Sequence, residues 1–133
     1  IIGEDKRVYL MGAGHPLELL DGVNLGVDIF DSRFPTRNSR HGSMYTWKGK
    51  INLINKKYEN DLTPIDKNCD CFACKNHNKA YIRFLLKQKE GTGYRLASIH
   101  NLHFLQSVMK RARESIKNGK FNKLLLEFRK YYS

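Results

Sequence analysis

Three observations place this sequence in the α/β class. A short apolar run, Val8-Tyr9-Leu10-Met11, closes on Gly12-Ala13-Gly14-His15-Pro16 and reads as a buried strand ending in a tight loop. A second run, Val27-Asp28-Ile29-Phe30-Asp31, ends in an acid. Between them Leu17 to Leu25 carries Leu17, Leu20 and Val23 or Asn24 at helical spacing, with Gly26 as the stop. Strand, helix, strand is the βαβ unit, which requires a parallel sheet. Such a sheet is covered on both faces and extended sideways, so its other strands are expected to lie outside this sequence.

The next stretch, Ser32 to Gly42, contains Pro35, Asn38 and Gly42 and predicts a loop. From Ser43 the period becomes two. Met44-Tyr45-Thr46-Trp47, Lys48-Gly49-Lys50 and Ile51 to Asn55 predict a hairpin about a glycine-bearing turn. Asn76 to Lys87 predicts a helix with Ala80, Tyr81, Phe84 and Leu85 on one face, and Tyr94 to Ile99 is strand-like. After His100, the residues Leu102, Leu105, Met109, Ala112 and Ile116 line one side of a helix that Gly119 ends. Phe121, Leu124, Leu125, Phe128 and Tyr132 mark a last helix.

At 133 residues the chain has room for one ordinary core, and it has no apolar run long enough to span a membrane. Its start has neither an initiating Met nor the apolar region of a signal peptide, so it is expected to be a piece of something longer. Lys and Arg number 24 against 13 Asp and Glu, a net charge of +11 that favours a polyanionic partner, nucleic acid above all. The excess is uneven: from Ser32 to Tyr58 seven basic residues occur without one acid.

All three cysteines fall in Cys69-Asp70-Cys71-Phe72-Ala73-Cys74. An odd count packed this tightly, with no secretion signal, argues against disulfides and for a thiolate metal site in a cytoplasmic protein. Tetrahedral closure needs a fourth ligand, for which His77, His100 and His103 are candidates. His100 is favoured slightly over His77, which follows Cys74 too closely to point back well. With four protein ligands the metal is structural.

Asp31 ends the second strand, where parallel α/β folds place their active sites, whereas Asp28 suits a packing or capping role. Thr36-Arg37-Asn38-Ser39-Arg40 follows at once and offers a phosphate clamp beside that carboxylate. Together they suit an enzyme that modifies nucleic acid.

Taken in order, Tyr9 to Gly14, Gly26 to Ser32, Pro35 to Gly42, Asp61-Leu62-Thr63-Pro64-Ile65-Asp66, the cysteine motif and Ile99-His100-Asn101-Leu102 resemble the tRNA-guanine transglycosylases, most closely the bacterial ones. The resemblance covers nearly the whole chain. It implies the C-terminal portion of a (β/α)₈ TIM barrel with an inserted zinc-binding subdomain. Residues 1–42 would hold the last two barrel strands with the active-site and RNA-binding loop, 43–100 the hairpin and zinc subdomain, and 101–133 the closing helices. The implied reaction exchanges guanine at the tRNA wobble position for prequeuosine-1, a 7-deazaguanine base, through a covalent aspartyl-ribosyl intermediate in queuosine biosynthesis.

Carried onto this sequence, Asp31 resembles the nucleophile, Met11 the residue that stacks on the base with Gly12 beside it, and Thr36, Arg37, Asn38, Ser39 and Arg40 the stretch that grips the anticodon loop. Cys69, Cys71, Cys74 and His100 match the ligands of a structural Zn²⁺. Homodimers are implied, and Tyr81 and Phe84 offer an aromatic face for one. Ser32 departs from the cysteine common in the family, and Ala13 and His41 also vary, yet no reacting group is lost. The second acid/base aspartate and the base-recognition loop belong to strands outside this sequence, so the chain alone is expected to be inactive. The alternative is a zinc-stabilised RNA-binding module without chemistry.

Overall fold

The two apolar runs pair in parallel. In the computed structural model, which describes Gly3 and residues 5–133, β1 (Tyr9–Met11) and β2 (Ile29–Asp31) set Tyr9 opposite Ile29 and Met11 opposite Asp31. Helix α1 (Pro16–Asn24) joins them. Pro16 opens it, where a missing N–H is no loss, and Glu18 Oε2 accepts the His15 N–H at 3.2 Å. Gly26, at φ +89°, ends it in the left-handed region. Gly22 has no room for a side chain, since a Cβ there would stand 2.7 Å from the Phe30 ring. The ladder is not the buried one predicted: Tyr9, Leu10, Met11 and Ile29 are exposed. Among the described residues the parallel sheet has two strands and closes no barrel, so neither strand has a second neighbour to cover it.

This ladder belongs to a compact unit made of the chain up to Phe34 together with Val108–Ser133. Its buried apolar side chains include Leu19 and Leu20 of α1, Val108 in the second half of a long helix α5 (Gly91–Lys117), and Leu124, Leu125 and Phe128 of α6 (Phe121–Tyr132). Helix α6 lies on α1, with Arg129 Nη2 donating to Asp21 Oδ1 at 2.9 Å. Lys123 and Lys130 are exposed, and so is Ile116, which the sequence placed on the packed side.

The second unit is Pro35–Ser107. The predicted Ser32 to Gly42 loop is instead largely a helix, α2 (Phe34–Arg40). Pro35 sits in its first turn, where proline is tolerated, Ser32 Oγ accepts the Phe34 N–H at 3.0 Å, and Gly42 at φ +79° supplies the exit. A hairpin forms where expected, with its turn shifted to Trp47-Lys48: β3 (Ser43–Thr46) and β4 (Gly49–Asn52) run antiparallel with Gly49 and Lys50 in the second strand, which ends at Asn52 and not Asn55, and Thr46 Oγ1 donates to Gly49 O at 2.7 Å across the turn.

The predicted Asn76 to Lys87 helix divides. Helix α3 (Phe72–Asn76) carries the last cysteine and α4 (Lys79–Lys87) restarts behind Asn78, whose Oδ1 caps the Tyr81 N–H at 2.8 Å. Its buried face is Ile82, Arg83, Leu85 and Leu86, whereas Tyr81 and Phe84 face solvent. Arg83 is buried because its Nε donates to Asn55 O at 3.1 Å. Tyr94 to Ile99 is helical, inside α5, and not strand-like. The buried positions Gly93, Leu96, Ala97, His100, Phe104 and Leu105 repeat at three and four residues, the period of a helix against a core, and Leu102 lies on the opposite, exposed side. Gly93 lets α5 approach α4, since a Cβ there would meet the Leu85 Cβ at 2.7 Å.

Asp61, Thr63 and Lys79 fasten the start of α4. Asp61 accepts the Thr63 N–H at 2.9 Å and hydroxyl at 2.5 Å, and Lys79 Nζ reaches Asp61 at 3.0 Å and Thr63 Oγ1 at 2.8 Å. The Thr63 hydroxyl first, and Lys79 after it, hold the Asp61 carboxyl down to about 2. A carboxyl lowered on folding stabilises the fold above its unfolded pKa of 3.8, and that contribution disappears as pH falls through about 2. The expected outcome is that acid titration below pH 4 removes at most about 2 kcal/mol through this group. Thr63→Val should flatten that limb of a stability-against-pH curve; an unchanged limb would refute the assignment. Among the described residues no helix is long and apolar enough to cross a membrane.

Candidate zinc centre and acidic strand end

Cys71 sits at the N-cap of α3, and its Sγ accepts the Cys74 N–H at 3.4 Å, which folds the cysteine motif into a tight knuckle. His100 comes from the fully buried face of α5. Its Nδ1 lies 3.6 Å from Cys69 Sγ, 3.7 Å from Cys71 Sγ and 3.3 Å from Cys74 Sγ, and all four ligand atoms fall within 4.8 Å of one another. In a tetrahedral zinc site sulfur stands about 2.3 Å and nitrogen about 2.0 Å from the ion, which puts them about 3.5 Å apart. The observed separations bracket that value, so the residues fit the ion.

With Nδ1 turned to the sulfurs, His100 Nε2 carries the proton and donates to Tyr45 O at 2.7 Å, the outer hydrogen bond that fixes a ligating imidazole. Three thiolates and an imidazole select zinc, and four protein ligands leave no place for water. The chain therefore carries a structural zinc site.

The other candidate histidines are occupied elsewhere. His77 stacks on Tyr81 with ring centroids 5.3 Å apart. His103 Nε2 pairs with Asp70 Oδ1 at 2.7 Å and holds that carboxyl below its ordinary range.

At the strand ends, Asp31 lies directly across the ladder from Met11, and both side chains are exposed, Met11 for 76% of its surface. Gly12, at φ +78°, donates its N–H to Asp31 O at 2.9 Å, so the chain turns immediately beyond the carboxylate. Tyr9 shares a strand face with Met11, and its hydroxyl donates to Asp31 Oδ1 at 2.5 Å. That bond, with some burial and the carboxylate's charge, raises the Tyr9 pKa. Asp28 instead accepts the Val8 N–H at 2.9 Å, a backbone tie at the entry to the ladder.

Helix α2 carries Arg37 and Arg40 three residues apart, hence on one face, both exposed and without an ion pair among the described residues. The rest of the segment anchors them. Asn38 Nδ2 donates to the Tyr45 hydroxyl at 3.0 Å, Ser39 is fully buried, and Thr36 is half-buried with its carbonyl accepting the Ser39 hydroxyl at 2.9 Å.

The family model described as Queuine tRNA-ribosyltransferase matches residues 1–133. The chain belongs to this family. It is 47% identical to the queuine tRNA-ribosyltransferase of Thermosipho africanus over 133 residues, which is all of this chain and 36% of that protein. It is 49% identical over 129 residues to that of Halothermothrix orenii, covering 97% of this chain and 34% of the relative. The Helicobacter pylori protein gives 47% over 134 residues, again the whole of this chain and 36% of the relative. The chain thus spans about a third of the length of the curated relatives it matches. The residues alone assigned no role to Tyr9, whose hydroxyl bonds Asp31, or to Asn101, which bonds the Pro35, Ser43 and Tyr45 backbone. Both stand in motifs that carry the resemblance, Tyr9 two residues before Met11 on the same strand face and Asn101 next to His100, but neither position reveals its partners.

Proposed function

We propose that this chain is the part of a tRNA base-exchange enzyme that carries the nucleophile, the anticodon-loop clamp and the structural zinc. The observation that carries the reading is the register of the parallel ladder, which sets the Asp31 carboxylate beside Met11 at the open ends of two strands. Exchanging one base for another at a single ribose carbon is a double displacement. The Asp31 carboxylate would attack C1′, its C–O bond forming as the bond to guanine breaks and the departing ring nitrogen takes up a proton. The incoming prequeuosine-1 nitrogen would then displace the carboxylate and lose its own proton. A carboxylate needs no base to activate it, and Tyr9 leaves one of its oxygens free to attack. Met11 would pack on the flat face of the base, with Gly12 allowing close approach. The acid/base group that serves the two bases, and the rest of the barrel, would come from outside this segment, and so the segment alone would be inactive. In the assembled enzyme two subunits would associate, with Tyr81 and Phe84 exposed for the purpose.

Trapping tests this directly. The full-length protein, incubated with wobble-guanine tRNA and no incoming base, should give a band on a denaturing gel that carries both protein and RNA. Binding without such a band would favour a zinc-stabilised RNA-binding module.

Arg37 and Arg40 would hold anticodon-loop phosphates. Replacing either with Ala should weaken tRNA binding and make the plot of log affinity against log salt shallower by about 0.7 to 0.9 per lost contact. Lys123→Ala, on an exposed helix position, should leave the slope unchanged. Identical slopes for wild type and both arginine variants would exclude phosphate contact.

A further inference from the structure

The turn of α5 that supplies the zinc ligand also holds the arginine helix. Asn101, fully buried beside His100, donates through Nδ2 to Pro35 O at 3.0 Å and to Ser43 O at 2.9 Å, and its Oδ1 accepts the Tyr45 N–H at 3.1 Å. Pro35 lies in the first turn of α2, and Ser43 lies just past its end. One amide therefore clamps both ends of the helix that carries Arg37 and Arg40. Three residues before it, Ser98 Oγ stands 2.9 Å from Ser39 Oγ. Ser39 gives its only hydroxyl proton to Thr36 O, so Ser98 is the donor. His100 completes the set, its Nε2 on the Tyr45 carbonyl while its Nδ1 faces the sulfurs. A helix of seven residues does not hold itself together in water, so α2 depends on these ties for its order.

We infer that zinc binding and the ordering of the Arg37–Arg40 face are one coupled equilibrium, with Asn101 as the positioning residue that transmits it. Metal fixes the His100 ring, the ring fixes the 98–101 turn against the Tyr45 backbone, and Asn101 and Ser98 pass that placement to α2. Zinc thus governs RNA affinity without touching RNA. The link to RNA rests on the reading of the two arginines as phosphate contacts; the link between zinc and α2 does not.

Amide hydrogen exchange on the zinc-loaded protein separates the two. The reporters are His41 and Gly42, whose N–H groups bond to Asn38 O at 3.1 Å and Ser39 O at 2.9 Å. Graded chelation should reduce their protection in step with zinc occupancy. Asn101→Ala that retains zinc should cut it by about tenfold or more, while the Leu86 amide in α4 keeps its protection. If Asn101→Ala fails to fold or to hold zinc, Ser98→Ala, which removes one tie at a partly exposed position, should still lower His41 and Gly42 selectively. Reporters that keep full protection after the metal leaves, or in the zinc-loaded variants, overturn the coupling whatever RNA does. In parallel, Arg37→Ala should weaken binding of an anticodon stem-loop RNA in the wild-type background and add little in the Asn101→Ala background. Full additivity of the two substitutions also counts against the coupling. If the reporters respond but RNA affinity ignores both substitutions, the coupling stands and the arginine reading fails.

Discussion

Asp31→Asn, made in the full-length protein, should abolish the covalent RNA adduct and slow base exchange by at least about 10³-fold, while tRNA still binds. The amide keeps the shape of the carboxylate and loses its nucleophilic charge. The surrounding backbone gives no reason for collapse, since Asp31 is exposed and its own carbonyl, not its side chain, receives the Gly12 N–H. Asp31→Glu should fall short by about 10²-fold, because one added methylene moves the attacking oxygen by about 1 Å from its line of approach.

Tyr9→Phe tests the same geometry more gently. It keeps the ring on the strand and removes only the hydroxyl that holds Oδ1, so the expected loss is about tenfold in kcat with KM little changed. An Asp31→Asn protein that still formed the adduct and exchanged labelled guanine at the wild-type rate would remove Asp31 from the chemistry. It would leave the arginine helix and zinc site as parts of a binding surface.

The parts of this protein legible in its sequence are those whose signals are local. The βαβ unit follows from two apolar runs and a glycine stop, and the zinc quartet from thiol spacing plus one family-matched histidine. Helix α2 was illegible because its stability is not local. Pro35, Asn38 and Gly42 are turn residues by habit, yet Asn38 and Ser39 direct their side chains to Tyr45 and Ser98, partners 7 and 59 residues away. Residues 94–99 misled through composition. Tyr94 and Ile99 suit a strand, but Leu96, Ala97 and His100 share one buried helical face, and Gly93 is in the helix because α4 leaves no space for a Cβ. The exposure of β1 has a third cause. An apolar strand is read as buried whatever surrounds it, and only the count of strands in the sheet reveals that this one is open.

His100→Ala should cost this protein more stability than any other single histidine change, at least about 3 kcal/mol, with zinc lost from the isolated protein. The substitution removes the fourth ligand and the donor to Tyr45 O together, and so cuts the knuckle from α5 and leaves the Asn101 bonds to hold α5 to the hairpin. The region it closes has little else to hold it. Between Thr63 and Lys79 the fully packed apolar side chains are Ile65, Cys71 and Ala73, too few to order the loop without a metal. His77→Ala is the matched control. That ring stacks on Tyr81 and meets Phe72 edge-on at 5.9 Å, on a half-open surface, so its loss should cost no more than about 1 kcal/mol and leave zinc at full occupancy. Elemental analysis of protein purified without chelator, read beside denaturant melts of both variants, distinguishes them. Equal destabilisation, or full zinc in the His100→Ala protein, would mean that another group closes the site, and His103, already turned toward Asp70 at the knuckle, would be the residue to test next.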